Sequence, residues 1–258
     1  ARRQRQMCIR DRYKTSNVQE KRESDAQYIY SQIKPTKKSL VDVSLRTDHD
    51  QIYGTHDSHR VQLGYDLLKN LKLKTSFGTG YRPPSLYESN NLASGINKLE
   101  PEITTNKEIG FDYNDYNSSL FVSSSIFNSE IDNEIEYSGG GYRQGAGFTE
   151  ISGYEVSVNK YNFMENLDLY FSYTKTDSDK SNGAKGALVP MHKFSSLFDY
   201  KMSDNIDNQL EYIYQERAYD TSSNELPSFS LVNYNFNYNI NDNFKSNFKI
   251  SNVLDQDY

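Results

Sequence analysis

Three of the four histidines crowd into "DHDQIYGTHDSH", where His49, His56 and His59 are interleaved with Asp48, Asp50 and Asp57. Imidazole and carboxylate both bind divalent metals, but a site needs three or four of them to converge and a second layer of hydrogen bonds behind them. No recognised ligand spacing is present, so the weighed alternative is a solvated polar loop. The glycine-rich "GGGYRQGAG" lacks the lysine and the strand-to-helix setting of a phosphate loop, and reads as a flexible surface loop. There is no Gly-x-Ser-x-Gly elbow, and the single cysteine, Cys8, has no plausible histidine partner. No catalytic residue and no cofactor is assigned on these patterns.

The elements that hold these residues are better defined than the residues themselves. The 258 residues carry a formal charge of −6, which argues against a nucleic-acid surface, since that would call for a basic stripe. Apolar residues make up 35% and mean hydropathy is −0.84, low for a globule of this size, yet 22 Tyr and 13 Phe are too many for ordinary disorder. No run approaches the length of a spanning helix, a test that leaves membrane barrels untouched.

From Tyr28 onward the dominant period is two. In "VNYNFNYNI", Val232, Tyr234, Phe236, Tyr238 and Ile240 alternate with four asparagines; "FKSNFKI" and "EIGFDY" repeat the pattern. Successive side chains of a strand point to opposite faces, so each run is a strand between two different solvents. Together with runs near 27–34, 39–47, 59–67, 71–80, 104–114, 118–136, 145–160, 166–177, 192–202 and 208–216, this predicts about a dozen strands. Many are around ten residues long, well beyond the usual strand of about five or six.

The connections alternate between short and long. Tight polar turns are expected at 34–38, 67–70, 114–117, 162–166, 202–207 and 239–243. Longer connections are expected at 47–59, 80–102, 137–147, 176–190 and 217–227. All small turns then fall at one end and all large loops at the other, as in outer-membrane barrels. Hydrocarbon offers the backbone no hydrogen bonds, so such strands must pair internally and close into a ring. The Phe, Leu, Ile and Val face would meet outer-membrane lipid, and the Asn, Ser, Lys and Asp face a wet lumen.

One strand ends in "FGTGYRPPSLYESN". Pro83 and Pro84 cannot donate to a ladder, so they release the chain from the sheet, while Gly78 and Gly80 permit close backbone approach at the rim. With Tyr81, Arg82, Ser85, Leu86 and Tyr87, followed by Leu99, Pro101 and Glu102, this stretch resembles the C-terminal barrel half of TonB-dependent outer-membrane receptors. Three further matches come in family order. These are "FNSEIDNEIEY", then "ISGYEVSV" with Gly153 and Glu155, then the terminal "SNVLDQDY" with Asn252, Leu254, Asp255 and Tyr258. Pro83 departs from the family's usual Ala, and Asn97-Lys98 from its usual Asn-Pro.

The resemblance implies an all-β fold, an antiparallel transmembrane β-barrel meander. About 12 of the family's 22 strands would be present, and the plug domain and last strand missing. Residues 13–258 would form this partial barrel. Residues 1–12, "ARRQRQMCIRDR", have basic residues without the apolar core of a signal peptide, differ in composition from the rest of the chain, and are expected to be a non-native leader. The resemblance further implies a Gram-negative outer-membrane location and import of a scarce large nutrient, cobalamin or a ferric siderophore, with the loops leaning to cobalamin. Energy would come from TonB, acting through the absent plug. A bulky chelate is held by aromatic stacking and a few fixed polar groups, which nominates Arg82, Tyr87, Asn90, Tyr142, Arg143 and Tyr219. A passive porin and an outer-membrane hydrolase are the alternatives.

Overall fold

The computed structural model describes the backbone of residues 2–14, 19–220 and 224–257, and side chains from residue 21 onward within those ranges. Thirteen strands form one antiparallel sheet. In order across it they are β1 (Arg2–Lys14), β2 (Gln19–Thr36), β3 (Ser39–Asp50), β4 (Gly54–Leu68), β5 (Leu71–Arg82), β6 (Glu102–Asp115), β7 (Leu120–Asp132), β10 (Phe148–Met164), β11 (Leu167–Lys180), β12 (His192–Ser203), β13 (Ile206–Gln215), β16 (Phe229–Asn241) and β17 (Phe244–Ile250). Every main strand pairs with its neighbour in sequence, so the sheet is a pure meander. Its end strands, β1 and β17, do not pair with each other. Two small hairpins, β8 (Ile135–Ser138) with β9 (Gly141–Gln144) and β14 (Ala218–Tyr219) with β15 (Glu225–Leu226), sit in the long connections. The five-residue helix α1 (Leu86–Asn90) lies between β5 and β6.

All twelve expected strands are present. The thirteenth, β1, runs through the segment expected to be a leader. The six expected tight turns occur at one end of the sheet. At the other end one expectation is corrected: residues 47–59 are not a long loop. β3 runs to Asp50 and β4 starts at Gly54, because Asp50 Oδ1 accepts from the N–H groups of Ile52 and Tyr53 and Gly54 takes φ +80°, closing a three-residue turn. The run 118–136 likewise divides at Asn133, whose φ of 58° ends β7 and releases the chain into the β8–β9 hairpin. Residues 137–147 are therefore ordered, with Gly139 and Gly140 as the two left-handed residues of a tight hairpin turn.

Register decides which side chains share a face. Val43, Val61 and Phe77 line up across β3–β5, Ile109, Ile126 and Tyr154 across β6, β7 and β10, and Phe198, Leu210, Tyr234 and Ile250 across β12–β17. This face is uncovered: Ile109 and Ile126 are 62% and 64% exposed. The opposite face carries polar ladders. Lys74 Nζ donates to Asp112 at 2.7 Å and to Ser123 Oγ at 3.0 Å. Asn247 donates to Asn235 and Asn237, Asn235 to Gln209, and Asn233 to Glu211. Few apolar side chains are buried among the described residues, and Pro84, Leu86, Ala93 and Leu99 of these belong to the β5–β6 connection rather than to the sheet.

Candidate functional site

The connection between β5 and β6, residues 83–101, is the longest at the loop end, and it is built outward from its prolines. Pro83 and Pro84 end the β5 ladder, and Ser85 then caps α1. Its hydroxyl accepts from the Glu88 N–H, while the Glu88 carboxylate accepts from the Ser85 N–H at 2.7 Å. The S-x-x-E spacing was the available sequence signal for this helix. Leu86 points inward, and Leu99 closes the loop at 1% exposure. Burial by itself would push the Glu88 carboxyl up, but the Ser85 N–H and hydroxyl together with Arg82 outweigh it and hold the group below the usual carboxylate range.

Two other elements clamp this loop. On one side the Arg22 guanidinium of β2 donates to the Pro84 carbonyl and lies 3.4 Å from Asp50, both side chains being buried. Tyr53 Oη meets Ser89 Oγ at 3.1 Å, and Lys98 stands over the Tyr53 ring. On the other side the chain pairs with β9. The Tyr142 N–H donates to the Asn91 carbonyl at 2.7 Å, and the Ala93 N–H to the Tyr142 carbonyl at 2.9 Å. Gly141 makes this possible, since a Cβ there would lie 2.4 Å from Ala93 N and from the Leu92 carbonyl carbon. Gln144 completes the seam by accepting from the Glu100 N–H and donating to the Glu100 carbonyl.

The seam brings two of the expected contact residues together. Tyr87 and Tyr142 pack edge to face with centroids 5.9 Å apart, and Tyr137, which sequence reasoning did not single out, adds a third ring 5.2 Å from Tyr142. Tyr87 and Tyr137 are more than half exposed, so the cluster presents aromatic surface outward. Arg143 is exposed and stands opposite Glu136 in the β8–β9 ladder; Asn90 is exposed and donates from Nδ2 to the Leu86 carbonyl. Arg82 is committed to carboxylates, with Nε and Nη2 on the two oxygens of Glu102 at 2.5 and 2.7 Å and Nη1 on Glu88 at 3.2 Å. Tyr219 belongs to a different neighbourhood. It lines a recess of about 60 Å³ with Lys185, Met191 and Arg217, between the β11–β12 and β13–β16 connections.

Gly78 meets the His59 carbonyl at 2.9 Å from where a Cβ would sit, whereas at Gly80 a Cβ would find only an ordinary contact with Thr104 at 3.7 Å. Close approach is thus required at Gly78 and not at Gly80. At Gly153 a Cβ would fall 2.0 Å from the Lys175 carbonyl oxygen and 2.9 Å from the Phe127 ring. The Tyr81 ring stacks on His56 at 4.1 Å. Pro101 is buried, its carbonyl accepting from Asn133, and Glu102 Oε1 also accepts from the Ile135 N–H. Glu155 accepts from Ser125 Oγ. Asn252 clasps the chain end by donating to the Gln256 carbonyl and accepting from its N–H; Asp255 takes φ 51° beside an exposed Leu254, and Tyr258 lies outside the described residues.

The three histidines do not converge, and no cluster of metal-ligating side chains occurs among the described residues. His49 pairs with Thr55 and His59 with Leu45 in the unbroken β3–β4 ladder, which puts the two on one face about 13 Å apart along the strands, while alternation turns His56 to the other face. Each is engaged locally: His49 Nδ1 with Thr55 Oγ1 at 2.7 Å, His56 Nε2 with the Tyr53 carbonyl at 3.0 Å, and His59 beside Thr79.

Residues 8–253 match the family model described as "TonB dependent receptor-like, beta-barrel". The vitamin B12 transporter BtuB of Vibrio cholerae is 25% identical over 228 residues, covering 85% of this chain and 36% of that protein. The iron-regulated outer membrane virulence protein of the same species is 25% identical over 247 residues, covering 82% and 38%. Among solved structures, the ferric enterobactin receptor PfeA of Pseudomonas aeruginosa (R480A mutant) in complex with enterobactin superposes with a TM-score of 0.81 at 18% identity, over 94% of this chain and 41% of that one. The siderophore receptor PirA of Acinetobacter baumannii gives 0.79 at 18% identity, over 94% and 43%. The chain therefore spans about two fifths of the length of the relatives it matches.

Proposed function

Because the chain belongs to the TonB-dependent receptor β-barrel family, we propose that it is the C-terminal arc of an outer-membrane receptor of a Gram-negative bacterium, importing a large scarce nutrient. The work is binding and gated passage, with no bond made or broken. TonB, reached through a plug that lies outside these 258 residues, supplies the energy, and the cargo is cobalamin or a ferric siderophore. The observation that carries this reading is the two-faced sheet. Rows of aliphatic and aromatic side chains stand exposed on one face, and hydrogen-bonded Asn, Asp, Lys and Ser ladders line the other. In water the first face would be an aggregation surface; in a bilayer it is the required exterior.

Ligand contact falls to the rim, to Tyr87, Tyr142, Arg143, Asn90 and Tyr219, with Arg82 fixing the loop that carries the first of them. Residues 1–12 are proposed as a non-native leader on their composition, although the family match begins at residue 8 and β1 pairs with β2 through this segment; resequencing across the start of the open reading frame tests this directly.

The test of function is uptake of labelled cobalamin and of a panel of ferric siderophores in a receptor-deleted host carrying the complete gene, with and without TonB. Uptake of one cargo that disappears without TonB supports the proposal. Uptake that persists undiminished without TonB identifies a passive porin instead.

A further inference from the structure

The charge of the loop end narrows the substrate class. Within residues 83–101, 133–147, 181–191 and 216–228 there are four cations, Lys98, Arg143, Lys185 and Arg217, against seven carboxylates, a net of −3. Three of the four are ion-paired with a carboxylate. Lys98 Nζ is 3.1 Å from Glu100, Lys185 Nζ 2.6 Å from Asp179 and Arg217 Nη1 3.5 Å from Glu225; the exposed Arg143 stands opposite Glu136 in the β8–β9 register without an ion pair among the described residues, since that carboxylate is held by Lys180. The cations on the adjoining strand ends are paired as well, Arg82 with Glu88 and Glu102 and Lys180 with Glu134 and Glu136. The same loop end exposes the uncharged rings of Tyr87 and Tyr137, packed with Tyr142.

Resting on the importer reading above, we propose that the cargo is a large ligand of net charge zero or positive, bound through aromatic faces, and that this rim discriminates against polyanionic chelates. A ferric tris-catecholate carries three negative charges, since six phenolate oxygens outweigh one Fe³⁺. Brought to loops of net −3 it meets like charge, with Arg143 the one cation among the described residues of those loops that has no ion pair to give up before offsetting its lost hydration. A corrinoid of zero net charge, or a ferric tris-hydroxamate in which the charges cancel, meets no such penalty and keeps the stacking contribution.

The experiment uses the complete receptor in outer-membrane lipid vesicles, with cyanocobalamin, a neutral ferric tris-hydroxamate and ferric enterobactin as probes at low and high salt. We expect a neutral probe to bind with a dissociation constant that changes by less than about twofold between 0.05 and 0.5 M NaCl, because no net charge is screened. We expect the tris-catecholate to bind at least tenfold more weakly. The double variant Glu100→Gln/Glu225→Gln, which frees Lys98 and Arg217, should improve tris-catecholate binding severalfold and leave the neutral probe unchanged. Tight tris-catecholate binding that collapses with salt in the unmodified receptor overturns the charge inference while sparing the importer reading. Failure of all three probes to bind overturns the importer reading, and this inference with it.

Discussion

Ile109 and Glu108 are adjacent on β6 and should respond in opposite ways to the same substitution. Ile109 lies near the middle of the 14-residue strand, beside Thr75 and Ile126, and is 62% exposed. That exposure leaves on the order of 100 Å² of apolar surface on the sheet's face, equivalent to about 2.5 kcal/mol depending on whether lipid or water covers it. In a bilayer, Ile109→Lys removes this contribution and places an ammonium near the midplane, with an expected cost of about 2–4 kcal/mol. Glu108→Lys turns to the polar face, where water or polar side chains receive it, and should cost less than about 1 kcal/mol. The assay is reversible urea unfolding of the complete receptor in lipid vesicles, monitored by tyrosine fluorescence and by the gel shift of the folded barrel. The reasoning is refuted if Ile109→Lys is neutral or stabilising, as it would be for an isoleucine facing water, or if the Glu108 variant is the more damaging of the two.

The rim and the sheet edges yield four further outcomes. Leu99→Ala should loosen residues 83–101 by about 2–5 kcal/mol, seen as faster limited proteolysis within that loop while barrel unfolding is unchanged. Gly141→Val drives atoms into Leu92 and Ala93, so the β8–β9 hairpin should undock and ligand affinity fall, with the heat-modifiable barrel band retained. Because the Glu88 pKa is lowered on folding, its contribution to the loop is present above the ordinary carboxylate pKa and is lost as pH falls through the lower folded value. Proteolysis of the loop should therefore accelerate on acidification, and Glu88→Gln should remove that dependence while raising the rate at neutral pH. Expressed by itself, the 258-residue chain has two unpaired edges, at β1 and β17, and should aggregate, which light scattering after refolding would report.

The strands were legible because a period of two survives in the sequence without knowledge of any neighbour. "VNYNFNYNI" states both its conformation and its two environments, and the prolines at 83 and 84 state where a strand must end. The turn at 51–53 was hidden within an expected long loop although its signal was present, since Asp50 accepting from nearby N–H groups and Gly54 with a positive φ are local features. The candidate site was less legible. Tyr87 and Tyr142 stand out from their loops, but their contact depends on backbone pairing between Leu92 and Tyr142, 50 residues apart; Tyr137 meets Tyr142 locally, as its cross-strand partner in the β8–β9 hairpin, and joins Tyr87 only through the long-range pairing. The histidines show the reverse: close in sequence, they are separated by strand alternation and by the length of the β3–β4 ladder.

Alone, the order of residues determined the conformation of each segment, the alternation of its two faces and the asymmetry of its connections, because these rest on steric and solvation preferences acting within a few neighbours. Only the tertiary structure decided which loops touch, which carboxylate neutralises which cation and which glycines have no room for a side chain. Those depend on register and on chain segments brought together over long separations, and no local preference encodes such distances.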